Sequence, residues 1–372
     1  MKQLVTRAGD LSPAFVKTIM PDLDNPNIYT SLDPSGLGTR LAELPEQCSE
    51  AWTQVKGVEL PDLAQAKDHV VICGMGGSAI AGDLAADLAE AQAGLPITVV
   101  RDFRMPFTPH GRTLVAVCSY SGETQETLSL FQQAVDAGSS VVAVTGGGSL
   151  ARLAGEGGIP ILNVNTKGEP RSAVGYNLML LLGLLQRLGL VETKDSDVHS
   201  AVEAIKQQIA VLNPDRPTES NLAKQIALEL CGRLPLICGG GIFRGVARRW
   251  KTQLNENSKI WAFFETIPEL LHNTVESFRT PSADGPSITA LVLEPGDGTS
   301  EAVSRYRLVP EMLKRRGIPH RTLQGSGESP LSQLLGMLIL GDYVSYYLAL
   351  LQGIDPSPNP GIDEAKELLS KL

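Results

Sequence analysis

The sequence predicts an α/β protein with two similar domains, each a mostly parallel sheet flanked by helices, and with further helices at its C-terminal end. Three observations lead to this fold class. The chain has 372 residues, too many for one ordinary domain. Short, nearly all-apolar runs alternate with helical stretches, as expected for parallel strands covered on both faces. The motif Ile72-Cys-Gly-Met-Gly76 returns 165 residues later as Ile237-Cys-Gly-Gly-Gly241, so the second half of the chain repeats the first.

The first half of the chain begins with thirty residues rich in Pro and Asp, which predict a surface arm. Helical spacing then covers residues 37–55, and short apolar runs after residue 68 predict strands separated by helices. The predicted strands cover residues 69–73, 97–100, 114–118, 140–145 and 159–162, and the predicted helices cover residues 79–90 and 124–137. We therefore expect a first domain over residues 31–190.

A second series of the same kind begins near residue 216. Two helices, over residues 172–188 and 202–211, connect the halves. The second series predicts helices over residues 221–230, 243–259 and 301–316 and strands over residues 234–238 and 287–293. We expect a second domain over residues 191–330. Residues 331–372 then predict a long apolar helix (329–352) and a last helix (362–372), which pack on the domains and at a subunit interface.

Composition limits the classes of function. Apolar residues make up 42% of the chain and charged residues 20%, which predicts a folded protein with a sizeable core. The net charge is -9 and no cationic run is present, which argues against a nucleic acid partner. The five cysteines lack metal-ligand spacing, so we expect buried thiols in a reducing compartment and no metal site.

The most apolar stretch, residues 334–351, approaches the roughly 20 residues that cross a bilayer. It contains Asp342, Ser345 and three tyrosines, so we interpret it as a buried helix or a subunit contact. The first twenty residues have no continuous apolar run, and no signal peptide is expected. The sequence therefore predicts a cytoplasmic protein without a membrane partner.

Two glycine-rich turns are candidate anion sites. Residues 74–78 join a predicted strand to a helix, where free backbone amides and the helix dipole favour an anion. Residues 239–241 repeat the arrangement. Either turn can also be a tight connection without a ligand. Residues 74–79 match the dinucleotide fingerprint as well, with Asp102 as a candidate ribose ligand, so an oxidoreductase remains an alternative.

A cluster of hydroxyls favours a phosphate monoester over a dinucleotide. Ser119, Ser121 and Thr124 follow the third strand where a helix begins, and helix capping needs only one of them. Together with Gly77 and Ser78 they supply neutral donors for one phosphate. Binding by hydroxyls and amides suits a chain with a net charge of -9.

These motifs resemble the SIS (sugar isomerase) domain, and the whole chain resembles the bifunctional phosphoglucose/phosphomannose isomerase family over residues 31–372. Further matching segments are Leu32-Asp-Pro-Ser-Gly-Leu37, Leu44-Pro-Glu-Gln47, Gly168-Glu-Pro-Arg171, Asn255-Glu-Asn-Ser-Lys259, Pro268-Glu-Leu-Leu-His-Asn273 and Asp355-Pro-Ser-Pro358. The resemblance implies two SIS domains and an aldose–ketose isomerase. Its expected reaction interconverts glucose 6-phosphate, and mannose 6-phosphate as well, with fructose 6-phosphate through an enediolate. No metal or organic cofactor is implied.

The resemblance also implies roles for three acid–base residues. Glu256 would be the base that moves a proton between C1 and C2, and His272 would open the sugar ring from the neighbouring subunit of a homodimer. Arg171 would stabilise the enediolate. From the residues alone, Glu256 can equally be a surface charge, His272 a structural histidine and Arg171 the start of a helix.

The C-terminal segment carries two more expected residues. Ser357 replaces the threonine to which the family's acceptance of mannose 6-phosphate is attributed, and Lys366 matches a lysine on the following helix. Lys366 can also be an ordinary charge on an amphipathic helix. Two further alternatives stay open for the whole protein: a sugar-phosphate sensor without catalysis, and an isomerase of another phosphosugar such as an amino sugar.

Overall fold

The structure is a computed structural model, and it describes residues 20–60, 67–90, 92, 96–279, 287–296 and 300–371. The first nineteen residues of the predicted arm, and residue 372 of the predicted last helix, lie outside this described part. The described end of the arm forms α1 (Asn27–Leu32). It is fixed by Lys224, whose buried ammonium donates to the Leu23 carbonyl (2.7 Å), the Pro214 carbonyl (2.9 Å) and Asp24 (3.1 Å).

The predicted helix over residues 37–55 is two helices, α2 (Leu37–Ala42) and α3 (Leu44–Lys56). They are separated at Glu43 because Pro45 occupies the first turn of α3 and cannot continue a helix. Asp33 caps α2, since its carboxylate accepts from the Leu37 and Gly38 amides at 2.7 and 2.8 Å. This cap explains the Leu32–Leu37 motif, and the helix that follows carries Arg40, whose side chain is 17% exposed.

The first sheet is parallel and has the strand order β2-β1-β3-β4-β5. Its strands are β1 (His69–Gly74), β2 (Ile97–Val100), β3 (Thr113–Ser119), β4 (Ser140–Thr145) and β5 (Ile161–Asn163). The helices among them are α4 (Gly76–Glu90), α5 (Gln125–Asp136) and α6 (Gly148–Glu156). Every residue of β3 is buried, as expected for a central parallel strand. Sequence analysis did not predict α6.

Two helices connect the sheets. A 3-10 turn (Pro170–Ala173) leads into α7 (Val174–Arg187), which packs on α3 and α4. The next helix is α8 (Asp195–Leu212), which begins seven residues before the predicted start and ends one residue after the predicted end. Gln47 of α3 donates from Nε2 to the Ser172 carbonyl at 2.9 Å, so the Leu44–Gln47 motif holds the 3-10 turn in place.

The second sheet is also parallel, in the order β7-β6-β8-β9. Its strands are β6 (Leu234–Gly239), β7 (Phe263–Thr266), β8 (Ile288–Glu294) and β9 (His320–Gln324). The accompanying helices are α9 (Leu222–Leu230), α10 (Arg244–Glu256) and α11 (Ser300–Arg315). The edge strands β7 and β9 were not predicted: β9 mixes polar and apolar residues, and β7 contains only the last two residues of the apolar run at 260–264.

The last two helices are α12 (Pro330–Leu351) and α13 (Pro360–Leu369). α12 is long and apolar enough to cross a membrane, but its apolar window is completely buried in the structure, where it packs on α8, α9 and α10. The prediction of a buried helix is therefore confirmed. Asp342, within α12, is paired with buried Arg249 of α10 at 2.7 and 3.0 Å.

Candidate active site

The turn from β1 into α4 leaves backbone amides available to a ligand. Gly76 has a positive φ of 49°, and a Cβ on Gly77 would lie 3.1 Å from the Pro170 carbonyl oxygen. Glycine is therefore needed at residue 77 for this close approach. Within the described chain, no acceptor reaches the Gly76 or Gly77 amide. The turn can thus bind an anion at the start of a fifteen-residue helix, with Ser78 buried beside it.

The turn from β3 into α5 brings hydroxyls to the same edge of the sheet. Ser119 donates to the Thr124 hydroxyl at 3.1 Å and accepts from the Gly122 amide at 3.1 Å, and Ser121 accepts from the Glu123 amide at 3.2 Å. Thr124 precedes α5 but its side chain caps no amide. The amides of residues 125–127 have no acceptor in the described chain. Helix capping therefore does not account for these hydroxyls.

The two turns are neighbours because β1 and β3 are adjacent parallel strands. Gly74 lies opposite Cys118 in the register, so both strands end at the same edge. The structure thus brings together Gly77, Ser78, Ser119, Ser121 and Thr124, two helix starts and their amides. Hydroxyls and amides at paired helix starts are donors suited to a phosphate group.

Arg171 lies next to the first turn and is buried, with only 3% of its side chain exposed. Its Nε donates to Asn257 Oδ1 at 2.7 Å, and its Nη2 donates to the carbonyls of Pro356 and Ser357 at 2.9 and 2.8 Å. Its Nη1 faces Glu256, 3.7 Å from Oε2. Burial lowers the pKa of Arg171. The guanidinium is therefore fixed by three protein groups and directs one nitrogen toward Glu256.

Glu256 is the last residue of α10, and a quarter of its side chain is exposed. Asn359 donates from Nδ2 to its Oε2 at 3.3 Å. The neighbouring Asn257 is fully buried and donates to Ser345 at 2.9 Å while accepting from Arg171. The poor helix formers beside Glu256 thus end the helix and hold the guanidinium, and the predicted helix to residue 259 is too long.

A second ion pair lies beside this one. Arg40 donates to both carboxylate oxygens of Glu169, at 2.8 and 2.6 Å, and from Nη2 to the Ser357 hydroxyl at 3.2 Å. The hydrogen bonds from Arg40 and Ser357 lower the pKa of Glu169 against the opposing effect of burial. Burial, followed by the charge of Glu169, raises the pKa of Tyr120 in the hydroxyl-rich turn, and the charge of Arg40 opposes this. Ser357 is therefore fixed between this pair and Arg171.

Lys259 is a site residue to which sequence analysis assigned no role. Its ammonium donates to the Glu256 carbonyl, to the Pro356 carbonyl at 3.2 Å and to Asn359 Oδ1 at 3.2 Å. Burial, followed by the charge of Arg171, lowers its pKa to about 8. Lys259, Asn257 and Glu169 belong to the matching family segments, so the sequence marked them as candidates. A matching segment does not show which of its residues contact one another in the fold.

Two expected residues are not brought to this site. His272 lies exposed in a 3-10 turn (Glu269–His272), and Lys366 lies exposed on α13. Within the described residues, neither makes a hydrogen bond or an ion pair with the cluster around Glu256. Asp102, the candidate ribose ligand, accepts from the Phe103 amide at 2.6 Å in a surface turn. No group of three or more His, Cys, Asp or Glu in the described part is placed to hold a metal ion.

The second glycine turn is filled by the protein itself. The hydroxyl of Tyr306 lies against this turn, and a Cβ on Gly240 would lie 2.7 Å from it. At the start of α10, Asp87 of α4 accepts from the Gly245 amide at 2.5 Å and pairs with Arg244 at 2.7 Å. Burial raises the pKa of Asp87 to about 6. Of the two candidate anion sites, this one already holds a carboxylate.

The structure has two αβα units, each built on a parallel sheet. The first has a glycine turn with amides free to bind an anion, and the second contributes the carboxylate of Glu256. This arrangement is that of the sugar isomerase class. A family model described as the bacterial phospho-glucose isomerase C-terminal SIS domain matches residues 219–369. A bifunctional phosphoglucose/phosphomannose isomerase from Caldicellulosiruptor bescii is 34% identical over 88% of this chain and 97% of its own length. The chain belongs to the bifunctional phosphoglucose/phosphomannose isomerase family.

Two further comparisons show how widely the scaffold is used. A D-glucosamine-6-phosphate 4-epimerase from Sulfolobus acidocaldarius is 26% identical over 71% of this chain and 80% of its own length. A crystal structure of a glucose-6-phosphate isomerase like protein from Thermus thermophilus superposes with a TM-score of 0.63 at 22% identity, over 94% of this chain and 99% of the other. The latter shows the shared fold.

Proposed function

We propose that this protein interconverts glucose 6-phosphate and mannose 6-phosphate with fructose 6-phosphate. The observation that carries the proposal is the contact between Gly77 and residues 170–171. It joins the open anion turn to Arg171, which in turn faces Glu256 at 3.7 Å. A phosphate in the turn would therefore hold the sugar beside a carboxylate and a fixed cation. Family membership supports the same reaction.

Phosphate binding is assigned to the two helix starts. Ser78, Ser119, Ser121 and Thr124 supply hydroxyls, and the amides at the starts of α4 and α5 supply N–H donors. These donors are neutral, so the site attracts a dianion without a cluster of lysines, and the helix dipoles add to the attraction. The ester end of the sugar is thereby anchored, and its other carbons extend toward Arg171.

Proton transfer is assigned to Glu256. Its carboxylate takes the proton from C2 of the aldose and returns it to C1, and the reverse reaction uses the same steps in reverse. Negative charge then develops on the enediolate oxygen. Arg171 is suited to stabilise that oxygen, because Nε and Nη2 are already engaged by the protein and Nη1 has no hydrogen-bond acceptor within the described chain.

Ring opening is assigned to His272 of a second copy of the chain. His272 is exposed here, and exposed Phe263 at the start of the preceding strand β7 stacks on exposed Trp261. The side chain of Trp261 is 77% exposed, and α13 also exposes Ile362, Leu368 and Leu369. Apolar surfaces of this kind are typical of subunit contacts. We propose a homodimer in which this region of each subunit completes the site of the other.

Hybrid dimers test the shared site. Glu256→Gln and His272→Asn subunits are each expected to be inactive, but a dimer containing one of each would keep one intact site. Random assembly then restores about a quarter of the wild-type activity, because half of the dimers are hybrids with one good site out of two. Activity that stays at the level of the parents, with hybrid formation verified by two affinity tags, would contradict the shared site.

The remaining assignments rest on the family and on position. Ser357 is hydrogen-bonded to both Arg40 and Arg171. We propose that its small side chain leaves room for either configuration at C2 of the sugar. Lys366 lies on α13, the helix that begins after Asn359. On the family resemblance alone, it would assist Arg171 in stabilising the enediolate. The division into an arm (1–30), two SIS domains (31–190 and 191–330) and C-terminal helices (331–372), and a cytoplasmic location, are proposed on the same basis.

A coupled assay with glucose 6-phosphate and mannose 6-phosphate tests the reaction. Glu256→Gln keeps the size of the side chain and removes the base, so we expect a loss of turnover of about 10⁴-fold, while binding of fructose 6-phosphate persists. A wild-type protein that binds sugar phosphates without turnover would instead be a sensor.

A substrate panel with glucosamine 6-phosphate tests a second candidate. This alternative, an isomerase or epimerase of an amino sugar, is favoured by the similarity to the glucosamine-6-phosphate epimerase. A kcat/KM for glucosamine 6-phosphate well above that for glucose 6-phosphate would establish it in place of the proposed reaction. The expected outcome is the reverse order.

A further inference from the structure

We propose that Lys259 is a positioning residue for the isomerisation: its ammonium ties residues 356–359 to the end of α10 and so fixes the carboxylate of Glu256. This inference rests on the proposed function of Glu256. It concerns how the C-terminal segment, which is far away in sequence, is kept beside the base.

The backbone of Lys259 gives the first reason. It has a φ of 56°, and it is the one residue other than glycine with a positive φ in the described part of the chain. This left-handed conformation costs an ordinary residue about 1–2 kcal/mol, which glycine would avoid. A lysine here is therefore disfavoured locally. Its side chain must provide a compensating interaction, and such strain is typical of functional sites.

The hydrogen bonds of the ammonium show what that interaction is. A lysine ammonium has three N–H donors, and three acceptors surround this one: the Glu256 carbonyl, the Pro356 carbonyl and Asn359 Oδ1. The first belongs to the end of α10, where a cation is favoured by the helix dipole, and the other two belong to the C-terminal segment. No donor remains for a substrate, so Lys259 acts through its neighbours.

Asn359 connects the ammonium to the base. Because its Oδ1 accepts from Lys259, its Nδ2 is directed to Glu256 Oε2, at 3.3 Å. The amide is thus oriented at one end by a cation and at the other by a carboxylate. Pro356 is held twice, since its carbonyl accepts from both Lys259 and Arg171. The tie therefore links the base, the enediolate-stabilising cation and the segment that carries Ser357.

The protonation state of Lys259 offers a direct readout. The charged groups that face it are Arg171 from the 3-10 turn, Glu256 from α10, Asp355 from the C-terminal segment and Glu169 from the loop before the turn. Burial and Arg171 outweigh the three carboxylates and lower its pKa to about 8. The ammonium is fully protonated only well below pH 8 and is half deprotonated at about pH 8, so the tie weakens and kcat should decline as pH rises through about 8.

The experiment compares Lys259→Met, Lys259→Arg and Lys259→Gly with Lys251→Met, which removes a lysine from within α10, away from the cluster. We expect Lys259→Met to lower kcat for glucose 6-phosphate about 30-fold, with KM within about threefold, because the base is misplaced and the phosphate site is intact. Lys259→Gly should show the same loss although it removes the strain. Lys259→Arg should retain most of the activity and lose the decline above pH 8, since guanidinium stays charged.

A double-variant cycle shows whether Lys259 acts through Asn359. Lys259→Met combined with Asn359→Ala should be no slower than Asn359→Ala alone, because both remove one interaction with the base. Wild-type kcat in Lys259→Met or Lys259→Gly, or additive losses in the double variant, would overturn the inference while leaving the proposed function intact. Failure of the wild-type protein to turn over any sugar phosphate, or full activity of Glu256→Gln, would overturn both.

Discussion

The two glycine turns have the same backbone design, but the first is open to a ligand and the second is occupied by side chains of the protein. Each joins a buried strand to a helix, and each has a glycine with a positive φ, Gly76 in the first and Gly241 in the second. The Gly76 and Gly77 amides of the first turn have no acceptor in the described chain. In the second, the Tyr306 hydroxyl lies against Gly240, and Asp87 accepts from the Gly245 amide at the start of the helix that follows. The difference comes from residues that arrive from elsewhere in the fold, and the turns themselves are alike.

The filled turn still serves the site, because it fixes α10. Asp87 and Glu90 of α4 pair with Arg244 at the start of α10, and Asp342 of α12 pairs with Arg249 in its middle. The far end of the same helix carries Glu256. In the proposed function, one anion site of the repeat receives the phosphate, and the other is a joint between the two units that fixes the helix carrying Glu256.

Introducing a negative charge at the proposed phosphate site should have the largest effect on activity. Ser121→Asp places a carboxylate among the proposed phosphate donors, which imitates the filled state of the second turn. Two charges about 4 Å apart near a protein surface repel by about 4 kcal/mol, and solvent reduces this at exposed Ser121. We expect kcat/KM for glucose 6-phosphate to fall about 100-fold, mainly through KM.

A matched control separates local repulsion from net charge. Gln132→Glu adds the same charge to the exposed side of α5, about two turns into the helix, and should leave kcat/KM within about twofold. Steady-state kinetics at low and moderate salt measure both variants. If Ser121→Asp behaves like the control, the phosphate does not bind at this turn.

The sequence was sufficient to predict most of the fold. Continuous apolar runs predicted β1, β3, β4, β6 and β8, because central parallel strands are buried on both faces. The edge strands β7 and β9 were missed, since a half-exposed strand of four or five mixed residues has no distinct pattern. Helix α6 was missed for a different reason. It begins with Gly-Ser in a glycine-rich loop, and its sequence reads locally as a turn.

The site was predictable only as separate motifs. Glycines and hydroxyls predicted the candidate phosphate turns, and the family resemblance pointed to Glu256 and Arg171. The contacts that fix these residues join positions 86 to 317 apart in sequence: Arg171 with Asn257, and Arg40 with Ser357. No local pattern encodes such pairs. The role of the second turn was open for the same reason, because Tyr306 and Asp87 are ordinary residues in their own helices.

Removing the Asp87 carboxylate from the start of α10 should have a smaller effect, and it should change the stability of the protein more than its activity. Asp87→Ala leaves the Gly245 amide and Arg244 without their buried partner, so we expect the free energy of unfolding to fall by about 2–3 kcal/mol, with kcat within about threefold of wild type. Asp87→Asn keeps an acceptor for the amide and should cost less; urea unfolding measures both. Inorganic phosphate should stabilise the wild type and Asp87→Ala equally through the first turn, since the Tyr306 hydroxyl still lies against Gly240. A larger phosphate effect in Asp87→Ala would mean that one carboxylate alone separates a ligand site from a structural joint.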